Sequence, residues 1–170
     1  FSGATSFNQD ICSWNVNENS VLTNMFNDAE SMQSNKGVGD TPSIDFFNPY
    51  VFTDKTTLQT AIDSWIEDPD AAKATYGEIN CWDVSEISDF SSLFEDKSTF
   101  NSDISNWDVS SGTDFSHMFY RAGAFNQNIG DWDVSNGTDF HYMFGKAEAF
   151  NQDIGSWDVS NGTDFSGMFY

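Results

Sequence analysis

Five of the chain's six tryptophans, Trp14, Trp82, Trp107, Trp132 and Trp157, fall at one position of a repeating 25-residue unit. A unit this short cannot enclose a core by itself. Its apolar side must be buried against the next copy, so the repeat dictates a stacked architecture. Phe125 to Phe144 recurs almost letter for letter as Phe150 to Phe169. Counted from the leading Phe as zero, apolar residues return at offsets 0, 4, 7, 9, 15, 18 and 19, with a small Ala at 22.

Offsets 4, 7 and 9 (Ile129, Trp132, Val134) have the spacing of a leucine-rich repeat, in which a short strand alternates its side chains in and out. Offsets 15, 18 and 19 (Phe140, Met143, Phe144) follow i, i+3, i+4 and predict a helical turn, with Thr138 or Asp139 at its N-cap. The expected fold is therefore a leucine-rich-repeat-like solenoid. Each coil of about 25 residues would pair a short parallel strand with a short helix or 3-10 turn. Stacked at strand spacing, the tryptophans and phenylalanines form ladders that supply the core; a carbohydrate-stacking platform is the lesser reading of the same rings. Between strand and turn, Asn136-Gly137 and Asn161-Gly162 predict a sharp bend with positive φ, although Ile87 at the equivalent position shows that glycine is not obligatory.

The period breaks once, because Phe26 to Phe94 is 68 residues. Residues 1–32 read as one or more coils ending an earlier array, 33–52 as an irregular linker, 53–76 as helical, and 77–170 as the main run of repeats. Leu58, Ala61, Ile62, Trp65 and Ile66 lie on one helical face, capped by Thr53 or Asp54 and ended by Asp68-Pro69. A second helix is expected from Pro69 to Tyr76, stopping at Gly77. Two arrangements fit: an amphipathic helix capping the open end of the repeats, or an insert projecting between adjacent coils. Both termini fall inside a unit, the pattern expected of a fragment of a longer array.

Twenty-seven acids against six bases give a net charge of −21. Phosphate contacts require Lys and Arg, so nucleic acid is excluded as a natural partner. No stretch approaches the roughly 20 apolar residues of a membrane span. The acidity is copied with the repeat, placing Asp108, Asp133 and Asp158 at offset 8 and Asp114, Asp139 and Asp164 at offset 14. Stacking would align these carboxylates at a cost of about 1 kcal/mol per neighbouring pair in a water-like dielectric. Two readings offset that cost: Ca²⁺ held by alternating oxygen donors, or Asp side chains bonded to backbone N–H groups in turns. The first makes these six aspartates a calcium site, and no other cofactor is required. Asn8, Asn101, Asn126 and Asn151 at offset 1 read as a structural amide ladder.

Asn136 and Asn161 open N-x-Thr sequons at the same turn and are candidate glycosylation sites. Cys12 and Cys81 would lie side by side if their coils are neighbours, allowing a disulfide; otherwise they are thiols. His117 and His141 sit at offsets 17 and 16, out of register with each other and with no nucleophile to serve. An active site normally interrupts a repeat instead of being copied with it, so the chain reads as no enzyme.

The run Phe150-Asn151-Gln152-Asp153-Ile154-Gly155-Ser156-Trp157-Asp158-Val159-Ser160, together with Phe52-Thr53-Asp54-Lys55 and Tyr76-Gly77-Glu78-Ile79, resembles the BspA-like leucine-rich-repeat surface proteins. The resemblance covers nearly the whole chain apart from about residues 33–50. It implies extracellular or cell-surface placement and a structural or adhesive role, without catalytic residues to carry over. Expected partners are other copies stacking end to end, or surface and matrix macromolecules including glycans. Two alternatives stand beside adhesion: a filament protomer joined through coil faces, and a calcium-dependent binding module.

Overall fold

The computed structural model describes residues 3–6, 11, 14, 16, 19–30 and 49–170, in two compact units, Phe1–Tyr50 and Val51–Tyr170. The first unit buries Ile11, Phe26 and Ala29, with Val16, Leu22 and Met25 packed against them. Its chain reverses through successive turns in which Met25, Asn27 and Ala29 donate their N–H groups to the carbonyls of Leu22, Asn24 and Phe26. Asn24 and Asp28 take φ of 55° there.

The second unit opens with helix α1, Lys55–Glu67, and helix α2, Pro69–Tyr76, followed by a 3-10 turn at Ile79–Cys81. Asp54 caps α1 by accepting from the N–H and hydroxyl of Thr57 at 2.9 and 2.8 Å. Asp68 caps α2, where Pro69 costs nothing because the first-turn N–H has no helical partner anyway. Gly77, at φ 75°, closes it. The apolar face of α1 (Leu58, Ala61, Ile62, Trp65) is buried on the coil that runs through Trp82, with Trp65 edge-on to Trp82 at 5.9 Å. Gln59 donates to the Leu93 carbonyl and the Trp65 indole to Ser102 Oγ, so the helices lie over the first coil of the run.

The coils themselves correct the expected fold. Among the described residues there is no strand and no sheet, and the leucine-rich-repeat-like solenoid of strand plus helix is not what forms. At offsets 4 to 7, where a strand was expected, the chain turns: Trp107, Trp132 and Trp157 donate their backbone N–H to Ile104, Ile129 and Ile154 three residues back. Asp103 Oδ1 takes the Ser105 N–H beside this turn, so local bonds consume the donors a sheet ladder would need. Among the described residues parallel pairing survives only as isolated bridges, Val51 with Asp83, Asp89 with Asp114, Asp114 with Asp139, and Asp139 with Asp164.

The helical turn at offsets 15 to 19 is corrected as well. N–H groups alternate along this stretch, one reaching the next coil and the following one closing a turn. Phe90, Ser92, Phe94 and Asp96 donate to Asp114, Ser116, Met118 and Tyr120, whereas Leu93, Glu95 and Lys97 donate three residues back. Ser92, Asp96, His117, Arg121, Tyr142 and Lys146 accordingly sit at φ of 51–59°, at offsets 17 and 21 of their coils. A helix needs a continuous run of negative φ, and these residues interrupt it twice per coil. Asn24 and Asp28 stand at the same offsets in the first unit, so that coil repeats the turn.

The Asn-Gly bend differs too. Gly112, Gly137 and Gly162 do not have positive φ; instead a Cβ on each would stand 2.1–2.4 Å from the ring of Phe115, Phe140 or Phe165. The glycine is there for space. Three columns of phenylalanine run through the unit at 5.2–5.9 Å between successive rings: Phe90, Phe115, Phe140, Phe165; Phe94, Phe119, Phe144, Phe169; and Phe100, Phe125, Phe150.

Candidate functional site

The tryptophans of the second unit line the same interior. Trp82 stacks on Trp107 at 6.3 Å and 20°, Trp107 and Trp132 are buried, and Trp157 is half-buried against the same core. Each indole of Trp107, Trp132 and Trp157 donates to the carbonyl of the isoleucine in the coil before, Ile79, Ile104 and Ile129, at 2.7–3.2 Å. These bonds tie coil to coil where the backbone does not. Trp14, in the first unit, is 45% exposed.

The repeated acids serve the turns. Asp108, Asp133 and Asp158 accept through Oδ1 from the N–H of Ser110, Ser135 and Ser160, each at 3.0 Å. At offset 14, Asp114, Asp139 and Asp164 accept from Ser116, His141 and Ser166 at 2.8–2.9 Å, and the hydroxyls of Ser116 and Ser166 add a second bond. Such bonds stabilise the ionised form. The Ser135 hydroxyl, then its N–H, holds the Asp133 carboxyl below the usual carboxylate range; for Asp158 the Ser160 N–H leads and the hydroxyl follows. For Asp164 the Ser166 hydroxyl leads, followed by its N–H, and His141 adds to the lowering. Among the described residues no group of three or more His, Cys, Asp or Glu side chains is placed to hold a metal ion. The six aspartates that sequence singled out for Ca²⁺ thus lie in two rows, each bonded to its own turn.

The amide row is equally occupied. Asn101 Oδ1 accepts from Asn126 N–H, and Asn126 Oδ1 from Asn151 N–H, both at 2.9 Å, while Gln127 and Gln152 bond back to the same asparagines. Asn136 and Asn161, the sequon asparagines, are exposed, and each donates its Nδ2 to the carbonyl of Ser110 or Ser135 at 2.8 Å. Cys81 is disulfide-bonded. Cys12, its proposed partner, lies outside the described residues, as does Asn8 of the amide row.

One cluster escaped the sequence. His117 and His141 are brought together, ring centres 4.9 Å apart at 85°, although they stand one step out of repeat register. The backbone ladder is itself offset by that step, so His117 N–H donates to the His141 carbonyl at 2.8 Å. Tyr120 and Tyr142 surround the pair, with Tyr142 stacked on His117 at 5.5 Å and 23° and lying 4.6 Å from His141. Arg121 lies over Tyr120 and Lys146 over Tyr170, gathering two of the six basic residues beside these rings. The signal was available at offsets 16 and 17, where His141 breaks a run of serines (Ser91, Ser116, Ser166) and Ser92, His117, Tyr142 and Gly167 all differ.

The family described as Mycoplasma protein of unknown function, DUF285, matches residues 1–65 and 67–170. The chain belongs to the DUF285 family. The two matched segments of this DUF285 chain divide at Ile66, inside helix α1. Neither a curated protein nor a solved structure matches it. Among the described residues no helix is long and apolar enough to cross a membrane.

Proposed function

We propose that this DUF285 chain is a BspA-like surface protein, extracellular or displayed at the cell surface, with a structural or adhesive role and no enzymatic one. The observation that carries this reading is the occupation of the copied polar groups. The copied aspartates, with Asn101, Asn126, Gln127 and Gln152, spend their oxygens and amides on holding the turns and joining coils. What this leaves to solvent is a long, repeated, acidic face, which suits many weak contacts with a large partner such as matrix protein or glycan more than the conversion of a small molecule. An antibody against the chain should label intact cells of the source organism, and the purified chain should adhere saturably to matrix-coated or glycan-coated surfaces. Labelling that requires permeabilised cells would overturn the placement, and absence of saturable adhesion the role.

A further inference from the structure

We infer that His117 and His141 form a two-imidazole site for a late first-row divalent metal ion, with Cu²⁺ bound most tightly and Ni²⁺ and Zn²⁺ next. The chain contains two histidines in all, and both are here, on neighbouring coils. Two imidazoles sharing one ion at about 2.0–2.1 Å per nitrogen have ring centres roughly 4.5–5.2 Å apart, from the right angle of a tetragonal site to the wider angle of a tetrahedral one. The observed separation is 4.9 Å.

The site is held in place before any ion arrives. The 2.8 Å bond from His117 N–H to the His141 carbonyl fixes the two backbones one above the other, and His141 N–H is tied in turn to Asp139 Oδ1. Tyr120 and Tyr142 limit the swing of both rings. Little side-chain freedom is left to lose on chelation, which favours binding. Both histidines are half-buried, so an ion can reach them from solvent. The net charge of −21 raises the local concentration of cations. Among the described residues no third His, Cys, Asp or Glu is grouped with them, so the other coordination positions go to water or to a donor on a partner. Imidazole selects the ion: Ca²⁺ and Mg²⁺ prefer oxygen and are left to the carboxylates.

The full chain is titrated with Cu²⁺ in excess Mg²⁺, which masks the carboxylate rows. Binding is followed by visible absorption and by the nitrogen splitting in electron paramagnetic resonance. The expected result is saturation at one ion per chain with two coordinated nitrogens and a rise in melting temperature. His117→Gln and His141→Gln should each weaken binding by at least the roughly 10–100-fold that follows loss of a ligand's supporting contact. Unchanged stoichiometry and affinity in both variants, or a spectrum with only oxygen donors, overturns the site. Should a variant unfold, the nitrogen count in the unsubstituted chain decides alone: two supports the pair, none or one refutes it.

Discussion

The two ends of the Val51–Tyr170 unit carry nearly the same coil and treat it differently. At one end Trp82 is 2% exposed, boxed in by Trp107 on the coil side and by Phe52, Trp65 and Tyr76 on the other at 5.1–5.9 Å. At the other, Trp157 is only partly covered and Phe169 is 65% exposed. The covered coil has departed from the common wording to meet helices instead of another coil: Ile87 replaces the glycine, Leu93 the methionine, and Lys97 the small alanine, where it pairs with Asp63 of α1 at 2.7 Å. The ion pairs there, Lys97 with Asp63 and Lys55 with Asp89, are partly exposed and worth little each. Aromatic burial does the capping. Whether a ring in this repeat belongs to the core is decided by what lies over its coil, not by its offset.

The comparison can be broken most directly at tryptophan. Trp82→Ala removes a ring with neighbours on both sides and should destabilise the unit by about 3–5 kcal/mol. Trp157→Ala, with coil packing on one side, should cost about 1–2 kcal/mol, the value of a partly buried large side chain. Urea denaturation of the full chain measures both. Equal losses would mean that α1 and α2 contribute no packing beyond what a coil supplies.

Glycine sharpens the same contrast. A Cβ at residue 137 would stand 2.4 Å from Phe140 Cζ, and at residue 162, 2.1 Å from Phe165 Cζ. Phe140 is fully buried between Phe115 and Phe165 and has nowhere to move, so Gly137→Ala should cost about 1–3 kcal/mol through overpacking. Phe165 is 40% exposed and can swing outward, so Gly162→Ala should cost less than about 1 kcal/mol despite the closer clash. The reverse order in melting temperature would show that backbone contacts, with Val134 O and Val159 O at 3.0–3.1 Å, set the limit instead.

Much of this organisation was legible in the chain. Periodicity placed the Trp and Phe columns, and capping rules placed α2 to the residue and left α1 a choice of Thr53 or Asp54 at its start, because Asp68-Pro69 and Gly77 act locally. The backbone between them was not legible. Ile129-x-x-Trp132-x-Val134 has the wording of a strand, yet Asp and Ser side chains at neighbouring positions compete for the same N–H groups and win. Phe140, Met143 and Phe144 match a helical face equally well. Only the bonds between coils, which no local pattern encodes, explain why Tyr142 and Lys146 take positive φ. The histidine pair was missed for the same reason: its register is that of the ladder, 24 residues, and not that of the repeat.

The smallest effects expected are in the aspartates, and they again divide the ends. Asp89 lies under α1; burial pushes its carboxyl up, but the bond from Lys55 Nζ, with those from Ser91, outweighs this and leaves it lowered. Asp164 on the uncovered coil is lowered chiefly by the Ser166 hydroxyl and N–H. A folded value below the unfolded one means that each carboxylate adds stability above its ordinary value of about 4, and that this is lost as pH falls through the lowered folded value. Acid should therefore weaken both ends over the same range, while the covered end responds more strongly to salt. Carbon-detected carboxyl titration by NMR should show Lys55→Met raising the Asp89 midpoint and 1 M NaCl doing so in part, because a Debye length of about 3 Å at that concentration screens a partly exposed ion pair. Ser166→Ala should raise Asp164 alone, with salt leaving it nearly unmoved because neutral donors, not a fixed cation, hold most of its charge. An Asp89 midpoint indifferent to both Lys55→Met and salt would show that serine, not the helix, holds the carboxylate at the covered end as well.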